Sequence, residues 1–146
     1  NLTDVNAVIG LHQLQQLEQF QRKRATLAKY YLDKINQTNL VNKGVRLPIA
    51  DFENSNWHMF QIILPLQSLG KTRSQVMLAL KELGIGTGVH YPIITNFELY
   101  RCLGYSPDST PIAAEIGGSI LTLPLFPSMS TADIDRVISG LEVVLA

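Results

Sequence analysis

The sequence predicts an α+β fold: a small three-stranded, mainly antiparallel sheet, helices on one face of it, and a long N-terminal helix. Three observations lead there. Apolar residues keep a helical spacing from Thr3 to about Asn36. Beyond it, β-favouring and amphipathic segments alternate as β, α, β, α, β, α, and a small sheet covered by helices satisfies every apolar stripe. The chain has 146 residues, 46% of them hydrophobic, which supplies one sizeable core and rules out a disordered or fibrous chain.

The first helix carries Val5, Val8, Leu11, Leu14, Leu17 and Phe20, then Leu27, Tyr30, Tyr31 and Ile35. Thr3 or Asp4 can cap its start. At 1.5 Å per residue it would reach ~50 Å, too long to be buried in one small domain. Part of it is therefore expected to lie against another domain or a second subunit. Residues 37–55 are polar and turn-rich and read as a loop. "WHMFQIILP" favours a strand from Trp57 to Leu64, stopped by Pro65, with Trp57 and His58 read as packing residues. "GKTRSQVMLALKELG" is a helix with Thr72 and Gln75 as a capping box and Gly84 beyond its end. A short strand over Ile85–Tyr91 and an irregular stretch with one or two helical turns follow. A helix from Pro111 to Ile120 starts on its proline. Leu121–Leu123 supplies the third strand, and a last helix opens at the Ser130/Asp133 capping box.

Twelve basic residues balance twelve acidic ones, for a formal net charge of zero. That argues against nucleic acid or a membrane surface as partner. The single cysteine, Cys102, excludes an internal disulfide, fits a reducing compartment and reads as a packed or half-exposed thiol. No apolar run approaches the ~18 residues of a membrane span, and no basic-then-apolar signal opens the sequence, so a cytoplasmic location is expected. His12, His58 and His90 fall on different elements, so no metal site is expected. The chain lacks an initiator methionine and enters its first helix almost at once, which predicts a portion of something longer.

"GIGTGVHYP", Gly84 to Pro92, is the stretch that asks for an explanation. Its G-x-G follows a helix and enters a strand, the reverse of a dinucleotide-binding turn. One reading is structural: a satisfied histidine and a packed tyrosine between turns. The other is that the glycines bring backbone close to a ligand, and that His90 and Tyr91 face it from a strand end.

Four segments in order, "NLTDVNAVIGLHQLQQLEQFQRKR", "NWHMFQIILP", "LKELGIGTGVHYPI" and "ILTLPLFPSMSTADIDRVI", resemble the C-terminal part of the DegT/DnrJ/EryC1/StrS nucleotide-sugar aminotransferases. The resemblance covers nearly the whole chain apart from residues 37–55. It implies the small domain of a fold-type-I, pyridoxal-phosphate-dependent aminotransferase, with residues 1–36 as the long helix leading into it. The cofactor-holding large domain, with the lysine that bonds pyridoxal phosphate and the aspartate that pairs with its ring nitrogen, is expected to lie outside this chain. No catalytic residue is therefore expected here, and the chain alone is expected to be inactive. Lys29, Lys34, Lys71 and Lys81 are read as lysines of amphipathic helices.

The resemblance further implies a homodimer with both sites at the subunit interface. It implies a keto-sugar nucleotide as amino acceptor and an amino acid, glutamate, as donor, in making sugars for cell-surface polysaccharide or lipid A. "NLTD" and "TLPLFP" lean toward the branch acting on the 4-keto-arabinose nucleotide, which has Phe-Arg after the histidine where this chain has Tyr91-Pro92. His90 and Tyr91 would be substrate-side residues. Asn1 would be a neighbour of the contact to the cofactor phosphate. A dehydratase of the same family, with histidine in place of the cofactor lysine, and a stand-alone interaction module are the alternatives.

Overall fold

The structure, a computed structural model, describes residues 2–146. The expected single long helix is two. Helix α1 spans Asp4–Gln15 and α2 spans Leu17–Ile35, separated at Gln16, whose N–H bonds back to the Gln13 carbonyl at 3.1 Å. Thr3 caps α1 through the Asn6 N–H, as expected. Nothing on α1 is buried: Val5 is 70% exposed and Leu14 65%. Burial begins in the second half of α2, where Leu27, Ala28, Tyr31, Leu32 and Ile35 form a stripe at helical spacing.

Strand β1 (Phe60–Ile63) pairs antiparallel with β2 (Ile120–Leu123), matching Phe60 with Leu123 and Gln61 with Thr122. The start of the expected strand at Trp57 is lost. Trp57 adopts a left-handed φ of 49°, its N–H turns to the Ser55 hydroxyl, and the His58 N–H turns to the Asn56 side chain. Its indole remains in the core, stacked between Phe52 and Phe60, and His58 is exposed.

The second of the three expected strands, over Ile85–Tyr91, is reduced to one antiparallel bridge between Gly88 and Thr122, while the third, expected at Leu121–Leu123, forms as β2. Glycine at 86 and 88 offers no side chain to pack on a pleated surface, and the chain turns away at His90. The sheet is therefore two strands with a one-residue bridge on each edge, the second being Arg46 with Ile63.

Helix α3 is a single turn (Leu66–Leu69) that the sequence did not announce, and α4 spans Arg73–Glu82. The Thr72/Gln75 capping box forms as expected. Gly84, at φ 73°, closes α4 in a Schellman arrangement, with Ile85 N–H on the Leu80 carbonyl and Gly84 N–H on that of Lys81. Two short helices follow, α5 (Glu98–Cys102) and α6 (Pro111–Ser119), the latter starting on its proline. Cys102 is exposed rather than packed.

Helix α7 (Thr131–Val144) opens on the Ser130/Asp133 capping box. It buries Ile134, Val137, Ile138, Leu141 and Val144 and packs against α2 and α4. Two lysines complete its C-terminal end: Lys71 Nζ donates to the Val144 carbonyl at 2.6 Å and Lys43 Nζ to that of Leu145 at 2.8 Å. Lys71 thus precedes α4 instead of lying on it. Among the described residues no helix is long and apolar enough to cross a membrane.

The core collects Phe60, Ile62, Leu121 and Leu123 from one sheet face with the stripes of α2, α4 and α7. Tyr31 lies fully buried there, stacked on Phe60 at 4.6 Å, and its hydroxyl donates to the Pro124 carbonyl at 3.0 Å. Burial first, then the charge of Asp133, push its phenol far above the ordinary tyrosine range. The folded chain therefore keeps this proton after the unfolded chain, titrating near pH 10, has lost it. Stability from this group is fully present below that pH. It is expected to fall above it by up to about 1.4 kcal/mol per pH unit. Tyr31→Phe is expected to remove that alkaline slope and to cost about 1 kcal/mol at neutral pH, as read by urea unfolding across the alkaline range.

Candidate functional site

The two sheet faces do different work. The register that sends Phe60, Ile62, Leu121 and Leu123 into the core places Gln61 and Thr122 on the opposite face, where they meet His90. Gln61 Nε2 donates to the His90 carbonyl, and Thr122 Oγ1 lies 3.0 Å from His90 Nδ1. Gly88 stands beside the ring: a Cβ there would come within 2.8 Å of His90 Cε1. The glycine is thus required by a close approach, but the approach is that of His90 itself. The His90–Tyr91 peptide is cis, and the two rings meet edge to face with centroids 5.3 Å apart.

His90 and Tyr91 open onto a cavity of about 720 Å³ formed entirely by residues 90–120. Its walls are apolar and aromatic, with Ile93, Tyr100, Tyr105 and Ile116 prominent. Tyr91 stands at its rim, 67% exposed. Arg73 supports the far wall from α4, its guanidinium donating to the Gly117 carbonyl at 2.6 Å and to that of Ile120 at 3.3 Å. The structure thus brings both substrate-side candidates together at one opening. Asn1 lies outside the described residues.

Sequence reasoning missed Thr122, Gln61 and the cavity. Thr122 read as one more strand residue, and the irregular stretch after Pro92 carried no periodic pattern. Only β alternation could have set Gln61 and Thr122 apart from their apolar neighbours, and four-residue strands give it too little length.

No lysine, arginine, aspartate or glutamate lines this cavity. Lys43 and Lys71 are spent on the end of α7, Lys29 pairs with Asp33 at 3.0 Å, and Lys34 lies over the Tyr30 ring. The residues here therefore do not fit the covalent and charge-pairing roles that pyridoxal phosphate requires. No step through that group is assigned to them.

Helices layered on a small antiparallel sheet, with a ligand-sized cavity at one edge, define the class as an α+β domain. Its family follows from the sequence. The chain belongs to the DegT/DnrJ/EryC1/StrS aminotransferase family, whose model matches residues 1–142.

Solved structures agree in fold. A Streptococcus pneumoniae protein described as a sugar aminotransferase, known in apo, PMP and PLP forms, superposes with a TM-score of 0.84 at 23% identity. The match covers 99% of this chain and 35% of that one in the apo form. Helicobacter pylori PseC, an aminotransferase involved in the biosynthesis of pseudoaminic acid, gives 0.82 at 20% identity, over 99% of this chain and 38% of its own. NtdA from Bacillus subtilis, with bound cofactor PMP, gives 0.74 at 30% identity, over 96% and 32%. The chain thus spans roughly a third of these relatives.

One atom in the cavity wall is out of keeping with its surroundings. Thr95 is 8% exposed and its hydroxyl is buried with no hydrogen-bond partner among the described residues. Replacing it with an isosteric methyl removes an unmet polar group. Thr95→Val is therefore expected to leave stability unchanged or raise it by about 1 kcal/mol, measured by chemical denaturation. A loss above about 1 kcal/mol would mean that the hydroxyl has a partner.

Proposed function

We propose that this chain is the C-terminal, substrate-side portion of a pyridoxal-phosphate-dependent aminotransferase that converts a keto-sugar nucleotide to an amino-sugar nucleotide. One observation carries the reading: the aminotransferase family model aligns with nearly the whole chain. The relatives in PLP and PMP forms support the cofactor, and the described sugar aminotransferases support the substrate class. The cofactor would be held by a domain outside this chain, which matches a His90 cavity without lysine or carboxylate. Glutamate as amino donor and a cytoplasmic location belong to the same proposal.

In this reading the chain binds and orients, and moves no proton of the reaction. His90 and Tyr91 offer hydrogen-bonding groups at the rim of a largely apolar cavity. The test uses the protein that carries this chain together with a cofactor-binding domain. His90→Ala and Tyr91→Phe are expected to lower kcat/KM for the sugar nucleotide by roughly 5- to 150-fold, the equivalent of about 1–3 kcal/mol for a polar partner left unmet. Cofactor binding should hold in both, and the melting temperature should hold in Tyr91→Phe, whereas His90→Ala, which leaves the buried Thr122 hydroxyl without its partner, should lower it modestly. Unchanged kinetics with a lowered melting temperature in both variants would return the pair to a structural role, and failure to aminate any keto-sugar nucleotide would sink the proposal.

The homodimer belongs to the same proposal, with α1 as a contact. Its apolar residues are all exposed, Asp4 is its only acidic or basic residue apart from His12, and a helix apolar on most sides ordinarily finds cover. Self-association is expected at micromolar concentration by sedimentation, and Leu11→Glu with Leu14→Glu is expected to abolish it. A wild-type monomer at high micromolar concentration would remove α1 from the interface.

A further inference from the structure

His90 is held from three sides, and the holding has a polarity. The cross-strand pair Gln61 and Thr122 engages its carbonyl and its Nδ1, while Gly88 receives the edge of the ring. Thr122 is 7% exposed, and His90 is the only side-chain partner of its hydroxyl among the described residues. Its own backbone is already committed: the N–H donates to the Gly88 carbonyl at 2.8 Å and the carbonyl accepts from the Gly88 N–H at 3.0 Å.

Two proton arrangements fit the 3.0 Å contact. If Nδ1–H donates to Oγ1, the hydroxyl proton is left in a buried place without an acceptor. If the hydroxyl donates to Nδ1, both atoms are satisfied. A buried donor without an acceptor is the costlier outcome, so the second arrangement wins. The ring proton of the neutral imidazole then sits on Nε2, which makes no hydrogen bond to any described residue while His90 lines the cavity.

We infer that Thr122 is a positioning residue that locks neutral His90 as its Nε2–H tautomer, so that His90 offers a donor and selects a hydrogen-bond acceptor, such as a hydroxyl, carbonyl or phosphoryl oxygen. Its hydroxyl works through the imidazole and does not itself reach the cavity opening. Acceptor selection rests on the reading of His90 as a substrate-side group. The tautomer does not, because it follows from the Thr122 contact alone.

The first arm of the test needs no ligand. In the chain labelled with 15N-histidine, under conditions where imidazole is neutral, the ring-nitrogen spectrum should show His90 protonated at Nε2. Thr122→Ser, which keeps the hydroxyl, should preserve that pattern. Thr122→Val should shift the tautomer ratio by about fivefold or more, the worth of a hydrogen bond that only one tautomer accepts, while the backbone spectrum and the signals of His12 and His58 stay in place. A wild-type His90 protonated at Nδ1, or a Thr122→Val ratio equal to wild type, overturns the assignment.

The second arm uses the protein with its cofactor-binding domain and a keto-sugar nucleotide. Thr122→Val should raise KM with little change in kcat. His90→Gln, whose amide nitrogen can stand in for Nε2–H, should recover most of the loss seen in His90→Ala. Equal impairment in His90→Gln and His90→Ala overturns acceptor selection. If His90→Ala leaves KM unchanged, the substrate-side reading fails and acceptor selection with it, whereas the spectra decide the role of Thr122 separately.

Discussion

The register of β1 against β2 is the constraint on which both halves of the molecule depend. Side chains alternate along a strand, so pairing Phe60 with Leu123 and Ile62 with Leu121 commits those four to one face and Gln61 with Thr122 to the other. A slip of one residue in either strand would carry a polar residue into the core and remove a partner of His90. The apolar face resists that slip because α2, α4 and α7 close over it. Core packing thus sets the position of two polar side chains that contribute nothing to the core. A substitution among the core residues would reach the candidate site through register even where it touches no ligand.

The molecule is built unevenly around this ribbon. On one side, burial is complete: Tyr31, Phe60, Ile134 and Leu141 are fully buried, and an aromatic row runs from Phe52 through Trp57 and Phe60 to Tyr31. On the other, the stretch from His90 to Ile120 encloses space rather than filling it. Short helices, a cavity and exposed large apolar residues such as Leu99, Leu103 and Ile112 occur together there. Exposed apolar surface on α1 and around this cavity is surplus to what the core uses, and such surplus ordinarily serves contact with something else. The same division suits a wall that is held rigid from behind and presents groups in front.

The helices were legible in advance wherever a local signal existed. The Thr72/Gln75 and Ser130/Asp133 boxes, Pro111 at a helix start and Gly84 beyond a helix end all fall where expected, because each acts within one turn of its own position. The breaks were not legible. Nothing local marks Gln16, and Trp57 reads as a strong strand former until Ser55 and Asn56 capture the next two amides. The strand expected over Ile85–Tyr91 failed for a related reason. "IGTGVHY" carries strand-like residues, yet its glycines supply no packing, so only Gly88 keeps a bridge.

The sequence by itself determined the α+β class, the helix caps, the aminotransferase family and the choice of His90 and Tyr91 as residues worth watching. All of these rest on residue type and short spacing, which a linear chain carries openly. Tertiary structure alone decided that His90 is held by Gln61 and Thr122, residues 29 and 32 positions away in opposite directions along the chain. It alone decided that Lys43 and Lys71 complete α7 from more than 70 residues' distance, and that residues 90–120 enclose a cavity. Those contacts join segments whose separation in sequence bears no period. They come into being only when the core fixes the register of two short strands.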